Sequence, residues 1–381
     1  MTLSPKMAAQ MANGVYGIRE TTNIVEGFRQ RGAAGGGLMD AFDLEGSGRR
    51  LEGVSGGRVL THRSGFATVL HGKGHARQGE IAIICRGTQI KYDWLSNFAA
   101  SVESGPGGTV VHAGFNRVFK SFNRGLSEAL HGHNPTTIHV VGHSLGGALA
   151  NLVALQYAGR ANVKLYTFGA PRPGLGNFAQ TLERRLGKDN IKRVYALADP
   201  VPMVPLYPFC HAPVSQGLRI SEGGQLISVN AHFMDNYGPA VADQCWAGMA
   251  AASSAIPNMK SVDFWLGQAQ QHNTIPGGTA ALFALNMALS GILSLAGKVV
   301  GYAALGAATV LDRLALMLQH AVAVSAEMGR LLSRFVQQVM RFLGRAASTV
   351  AEVTRSFLSY VLRLLFTALV QVARSALSRL A

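Results

Sequence analysis

Three kinds of residue in this chain could together turn a hydroxyl into a nucleophile. A serine sits in Gly142-His143-Ser144-Leu145-Gly146, an aspartate in Ala198-Asp199-Pro200-Val201-Pro202, and histidines at His211 and His232. A serine hydroxyl attacks poorly until a base takes its proton, and the base works best when a carboxylate fixes its tautomer. Ser144 stands between the β-branched run Thr137-Ile138-His139-Val140-Val141 and the Ala- and Leu-rich stretch from Leu145 to Gly159. These predict a buried strand that turns sharply into a helix. Glycines two before and two after the serine let strand and helix pass closely, and the Leu145 N–H at the helix start faces any oxyanion that forms. The pentapeptide alone is a weak signal; its setting gives it weight.

The remaining groups follow from neighbouring strands. Ile81-Ala82-Ile83-Ile84-Cys85 predicts a second buried strand running into Arg86-Gly87-Thr88. A loop at that sheet edge is where a second oxyanion donor belongs, and Thr88 offers both an N–H and a hydroxyl. Ile191 to Leu197 predicts a strand closed by Ala198-Asp199-Pro200, so Asp199 falls at the carboxyl edge of the sheet; Asp189 has no such place. Two histidines can serve as base: His211, ahead of Leu218-Arg219-Ile220, and His232, after the strand-like Leu226 to Val229. His143 is locked beside the nucleophile and His112 is expected to be structural. Helices are expected over Pro5 to Glu20 and Phe115 to His131, with strand-like pieces over Arg58 to Thr61 and Phe66 to His71.

The 381 residues allow one large domain with an appendage, or two domains. Lys+Arg number 35 against Asp+Glu 20, a formal charge of +15 that favours anionic partners. Nucleic acid is disfavoured, because aromatic residues are not interleaved with the basic ones to make a stacking platform. The three cysteines form no disulfide framework and show no metal-ligand spacing with histidine, so neither a metal nor a cofactor is expected. The N-terminus carries no apolar run long enough for a secretory signal, so synthesis in the cytoplasm is expected, with any export left to a specialised system.

The motifs together are more specific than any one of them. Cys85-Arg86-Gly87-Thr88 with Asp93-Trp94, then Val111-His112-Ala113-Gly114-Phe115, then the run from Gly142 to Ala150, then Tyr166-Thr167-Phe168-Gly169-Ala170-Pro171-Arg172-Pro173-Gly174 resemble the class 3 lipase family in order and spacing. The resemblance covers roughly residues 5–250. It implies an α/β-hydrolase fold with a central, mostly parallel sheet, and a lipid ester substrate cleaved as by a phospholipase A or an acylglycerol lipase. It implies Ser144 as nucleophile, Asp199 of the Asp-Pro-Val-Pro motif as the acid, and His232 in Ala231 to Tyr237 as the base. Leu145 and Thr88 would then form the oxyanion hole, and His211 resembles a structural histidine. Fungal relatives place a lid between the oxyanion loop and the serine turn. Ala99 to Gly108 is Gly/Pro-rich here, which leaves part of the C-terminal region as an alternative cover.

Beyond about residue 255 the character of the chain changes. The expected division is a hydrolase domain over 1–255, a linker over 256–278 and an all-α module over 279–381. Thr279 to Gly297 carries no charge and just reaches the length of a membrane span, a reading on a par with a buried helical hairpin. Farther on, Arg330, Arg334, Arg341 and Arg345 share one arc of a helix, while Leu332, Phe335, Val336, Val339, Phe342 and Leu343 lie opposite. Ten Lys+Arg against three Asp+Glu follow Ile275. That pattern suits an anionic membrane surface, an acidic partner protein, or an ordinary packed helix. The arrangement is similar to bacterial phospholipase effectors delivered by specialised secretion systems such as type VI, which implies membrane association and an immunity, chaperone or secretion-apparatus partner. Alternatives are an intracellular lipase or polyester depolymerase, and a membrane-inserting or pore-forming protein whose hydrolase domain is secondary or inactive.

Overall fold

Strands that are apolar on both faces must be covered on both sides, and this requirement organises the fold. The protein is described from a computed structural model covering residues 1–19, 21–35, 37–46, 48–56, 61–87, 101–205, 208–214, 217–220, 228, 230–254, 262–273, 277–300, 310–345 and 354–378. Helices α1 (Pro5–Gly14) and α2 (Ile24–Gln30) precede the short β1 (Phe42–Asp43) and the hairpin partners β2 (Arg49–Gly56) and β3 (Thr61–Gly72). Then come β4 (Glu80–Cys85), β5 (Val102–Ser104), β6 (Val110–His112) and α3 (Ala113–Ala129). The central crossover is β7 (Thr137–His143), α4 (Leu145–Tyr157) and β8 (Asn162–Phe168). After it follow β9 (Gly174–Leu175), α5 (Gly176–Leu186), β10 (Ile191–Tyr195), β11 (Phe209–Cys210), β12 (Leu218–Arg219), α6 (Met234–Ala242) and α7 (Trp246–Ser254).

The main sheet runs β1-β3-β4-β7-β8-β10-β12, with β2 also paired to β3. From β4 to β12 every pairing is parallel; β3 joins β4 antiparallel. Alternation splits the core in two. Ile81, Ile83, Cys85, Ile138 and Val140 pack with α3 and α4 on one face, and Ala82, Ile84 and Val141 pack with α1, α2 and α6 on the other. A second, antiparallel sheet, β11-β9-β6-β5, flanks it. The first helix is shorter than expected, because after Gly14 the chain tightens into a 3-10 turn over Val15–Arg19. The strand expected over Phe66 to His71 extends back to Thr61, whereas most of Arg58 to Thr61, and Leu226 to Val229 apart from Ser228, lie outside the described residues.

The C-terminal part is helical: α8 (Val262–His272), α9 (Thr279–Val300), α10 (Val310–Val324), α11 (Ala326–Phe342) and α12 (Arg355–Ser378). The stretch read as a linker therefore contains α8, which buries Val262, Leu266 and Ala269 one helical turn apart against α9 and α11. Arg330 grips Asp263 through two bonds of 2.9 and 3.0 Å, tying α11 to α8. α9 touches α8, α10, α11 and α12, and this central position gives a physical reason for the absence of charge from Thr279 to Gly297. On α11 the apolar stripe, Leu332, Phe335, Val336, Val339 and Phe342, is buried, so in this arrangement it is a packed face rather than a lipid-facing one. α9 and α12 are each long and apolar enough to cross a membrane, by length and composition only. The core of the helical part is continuous with that of the sheet on the α3 and α4 side.

Candidate active site

The serine turn is built by close backbone approach. Ser144 has φ 57° and ψ −133°, the left-handed region that costs a non-glycine residue about 1–3 kcal/mol. The surrounding structure holds it there: Ser144 N–H donates to Phe168 O at 3.0 Å, and Gly147 N–H to Ser144 O at 2.9 Å. A Cβ on Gly142 would lie 2.2 Å from the Gly146 carbonyl oxygen, and one on Gly146 2.2 Å from Cys85 O. Both glycines are thus required for backbone to touch backbone, and Gly146 in particular lets α4 lean on the loop leaving β4.

That turn points Ser144 at His232. Register places Cys85 beside Gly142, so the ends of β4 and β7 lie side by side at the carboxyl edge of the sheet. From there Ser144 Oγ lies 2.9 Å from His232 Nε2. His232 Nδ1 lies 3.0 and 2.9 Å from Asp199 Oδ1 and Oδ2. A carboxylate only accepts, so Nδ1 carries the proton and Nε2 is free to accept the Ser144 hydroxyl proton. Asp199 accepts two further bonds, from Val201 N–H at 2.9 Å to Oδ1 and from the Tyr237 hydroxyl at 2.7 Å to Oδ2. Ser144, Asp199 and His232 are all fully buried.

The other histidines have different jobs. His211 Nε2 donates to Pro202 O at 2.8 Å, which commits that nitrogen to the backbone after Asp199. Burial, reinforced by Arg193 and Arg172, holds its pKa well below the usual range. His112 is the N-cap of α3, its Nδ1 accepting from Gly114 N–H at 3.1 Å. His143 is completely buried, and burial followed by the nearby His232 keeps it neutral, far below its ordinary pKa. Its Nδ1 lies 2.7 Å from the Tyr16 hydroxyl and its Nε2 2.7 Å from the His232 carbonyl oxygen.

On the oxyanion side, Leu145 opens α4, so its N–H has no preceding turn to bond to. Thr88, like Asp93 and Trp94, lies outside the described residues. The base of its loop is described: Arg86 is fully buried, donates to Gly65 O and to Ser64 Oγ, the latter at 2.8 Å, and stacks 5.1 Å over Phe66. Burial pushes its pKa down to about 10. Tyr16, Tyr237 and Arg86 were not singled out from the sequence as site residues. A tyrosine or arginine carries no local signature of its future partner, even where, as with Arg86 in Cys85 to Thr88 and Tyr237 in Ala231 to Tyr237, it stands inside one of the motifs. Among the described residues no group of three or more His, Cys, Asp or Glu side chains could hold a metal ion.

The known proteins that this chain is similar to are lipases and a phospholipase. Residues 82–209 match the family Lipase (class 3). Secreted mono- and diacylglycerol lipase 1 of Fusarium solani is 34% identical over 134 residues, covering 33% of this chain and 39% of that protein. The chloroplastic phospholipase A(1) DAD1 of Arabidopsis thaliana is 27% identical over 152 residues, 33% of this chain and 34% of that one. The chain thus spans well under two thirds of the length of these relatives. Among solved structures, the Lip2 lipase of Yarrowia lipolytica is similar over 57% of this chain and 78% of its own, at 20% identity and a TM-score of 0.41. The matched segment, residues 82–209, holds the nucleophile turn and the acid, and over it this chain is similar to the class 3 lipases.

Proposed function

We propose that the protein is a serine esterase acting on lipids, and the observation that carries this is the unbroken hydrogen-bond chain Ser144–His232–Asp199 at the carboxyl edge of the sheet. Ser144 Oγ attacks the ester carbonyl carbon as its proton passes to His232 Nε2. The Leu145 N–H, with a second donor from the loop that carries Thr88, receives the oxyanion. The tetrahedral species collapses, His232 hands its proton to the leaving alcohol, and an acyl-Ser144 remains. Water, deprotonated by His232, then releases the fatty acid and restores the hydroxyl. Asp199 holds the imidazole in its tautomer and stabilises the imidazolium.

The substrate class is carried by the relatives, which are named as acylglycerol lipases and a phospholipase A(1). Hydrolysis of monoacylglycerol, diacylglycerol and phosphatidylcholine by the full chain and by Ser144→Ala tests it. Fatty acid released from at least one class by the first protein and not by the second is expected; equal release by both would refute the assignment. We further propose that the hydrolase and its basic helical module act after export through a specialised secretion route, with an immunity or chaperone protein as partner. Appearance in the culture medium that does not depend on such an apparatus would count against this.

A further inference from the structure

We infer that Trp246 and Tyr166 are positioning residues for the Ser144 reaction, acting at a distance through Leu3 and α1 on Tyr16; this rests on the serine-esterase proposal. Leu3 is fully buried, and both of its main-chain groups are held by side chains far along the sequence. Its N–H donates to the Tyr166 hydroxyl at 3.1 Å, and its carbonyl oxygen accepts from Trp246 Nε1 at 2.7 Å. The two rings lie 5.8 Å apart and form one clamp. Two residues before Tyr166, and so on the same face of β8, Lys164 Nζ donates to the Thr2 hydroxyl at 2.8 Å. A main-chain group cannot leave its partner without moving the chain, so the clamp fixes where α1 begins.

Ser4 caps α1 directly after the clamp, accepting from Met7 N–H at 3.2 Å, which leaves little slack between Leu3 and the helix. α1 packs along β7, whose Val141 lies in the core on that side, and His139 and His143 share its face. The Tyr166 hydroxyl lies 3.3 Å from His139 Nδ1, and the Tyr16 hydroxyl 2.7 Å from His143 Nδ1. The helix is thus anchored to one strand face at both ends. The lengths agree: His139 to His143 spans about 13 Å of strand, and the 10 residues of α1 about 15 Å of helix. At the far end Tyr16 has no spare room. A Cβ on Gly87 would lie 2.3 Å from its hydroxyl, so Tyr16 stands against the loop that leads to Thr88 as well as against His143. On its other side the backbone is pressed on α2, where a Cβ on Gly17 would lie 1.9 Å from Gly27 O. A shift of α1 therefore reaches the oxyanion loop and, through His143 Nε2 and the His232 carbonyl, the base.

A double-mutant cycle read with p-nitrophenyl butyrate tests the route, since intermediate position alone does not show coupling. Trp246→Phe keeps an aromatic ring and removes the indole N–H; kcat is expected to fall about tenfold with KM nearly unchanged. In a Tyr16→Phe background, where the route is already cut, the same substitution should lower kcat no further. An equal fall in both backgrounds would overturn the route through Tyr16. A lower urea midpoint with wild-type kcat would overturn the positioning role altogether. If Trp246→Phe does not fold, Tyr166→Phe, which removes a single hydroxyl, is read in the same cycle. Hydrogen exchange follows the clamp without the chemistry: in Trp246→Phe, residues 5–19 and 230–232 should lose protection together while 113–129 keep theirs. If wild type hydrolyses no ester, the esterase proposal fails and exchange still decides the coupling. Loss of protection at 5–19 with none at 230–232 would overturn it.

Discussion

The imidazole of His143 holds the backbone of His232: its Nε2 lies 2.7 Å from the His232 carbonyl oxygen. A carbonyl only accepts, so that nitrogen carries the hydrogen, and Nδ1 must in turn accept from the Tyr16 hydroxyl at 2.7 Å. The residue beside the nucleophile thereby fixes the loop that bears the base, and Tyr16 fixes the residue beside the nucleophile. Tyr16→Phe leaves a buried acceptor without its donor, a loss of about 1–3 kcal/mol. The expected result is a lower urea midpoint and a fall in kcat on a soluble ester with KM nearly unchanged, since the variant disturbs the base and not the acyl site. An unchanged kcat would remove Tyr16 from the positioning chain.

Tyr237 supports the other end. Its hydroxyl donates to Asp199 Oδ2 at 2.7 Å and accepts from Ala196 N–H at 3.1 Å, so it ties the carboxylate to the end of β10. Tyr237→Phe removes a bond to a charged group, worth about 1.5–3 kcal/mol, and frees Asp199 to rotate. A loss of kcat of about tenfold or more is expected, together with reduced thermal stability. Tyr237→Phe with wild-type kcat would show that Val201 N–H and His232 alone hold the carboxylate.

Gly146 tests the serine turn without touching its chemistry. A methyl group there would meet the Cys85 carbonyl oxygen at 2.2 Å and Gly87 N at 2.8 Å, both backbone atoms that cannot swing aside. Gly146→Ala should therefore cost about 1–3 kcal/mol of stability and push the oxyanion loop away from Leu145. The expected signature is a large fall in kcat measured on folded protein. By contrast Gly176→Ala, where a Cβ meets nothing within 4 Å, should be nearly silent. Similar effects of the two substitutions would contradict the close-approach explanation.

Acid should destabilise the fold before it protonates most carboxylates. Burial lowers the pKa of His112 and of His139 to about 4, and holds His143 and His211 well below 6.5. Between about pH 6.5 and 4 the unfolded chain takes up protons that the folded chain refuses. Stability is therefore full above 6.5 and falls as pH drops through that window, by up to about 1.4 kcal/mol per pH unit for each histidine. Urea midpoints at pH 7.5 and pH 5 check this. Equal midpoints would mean that these rings protonate freely in the folded state.

The parts of the structure visible in the sequence are those with local pattern. Ile81 to Cys85 and Thr137 to Val141 announced themselves as doubly buried strands, and the serine turn as the junction between strand and helix, because β-branched runs and paired glycines act over a few residues. The placement of His232 rather than His211 against Ser144 depends on the resemblance, since both histidines sit among mostly apolar neighbours along the chain and neither carries a local mark of a base. Tyr16 was invisible: its partner His143 is 127 residues away. The helix Val262–His272 was hidden because its buried positions, Val262, Leu266 and Ala269, include one alanine and are scattered among polar residues, as a partly buried helix allows. The two-residue strands Phe209–Cys210 and Leu218–Arg219 are too short to show any period. For the uncharged Thr279 to Gly297, composition fits a bilayer and a helical core alike, and a bundle in which it contacts four other helices suits both.

Covalent labelling tests the nucleophile most directly. A fluorophosphonate is attacked only by an activated serine, and the adduct can be located by peptide mass spectrometry after digestion. One adduct, on Ser144, is expected in wild type and in His211→Ala, and none in Ser144→Ala or His232→Ala. A phosphonate on another serine, or ester hydrolysis that persists in Ser144→Ala with an intact fold, would contradict the proposed chemistry.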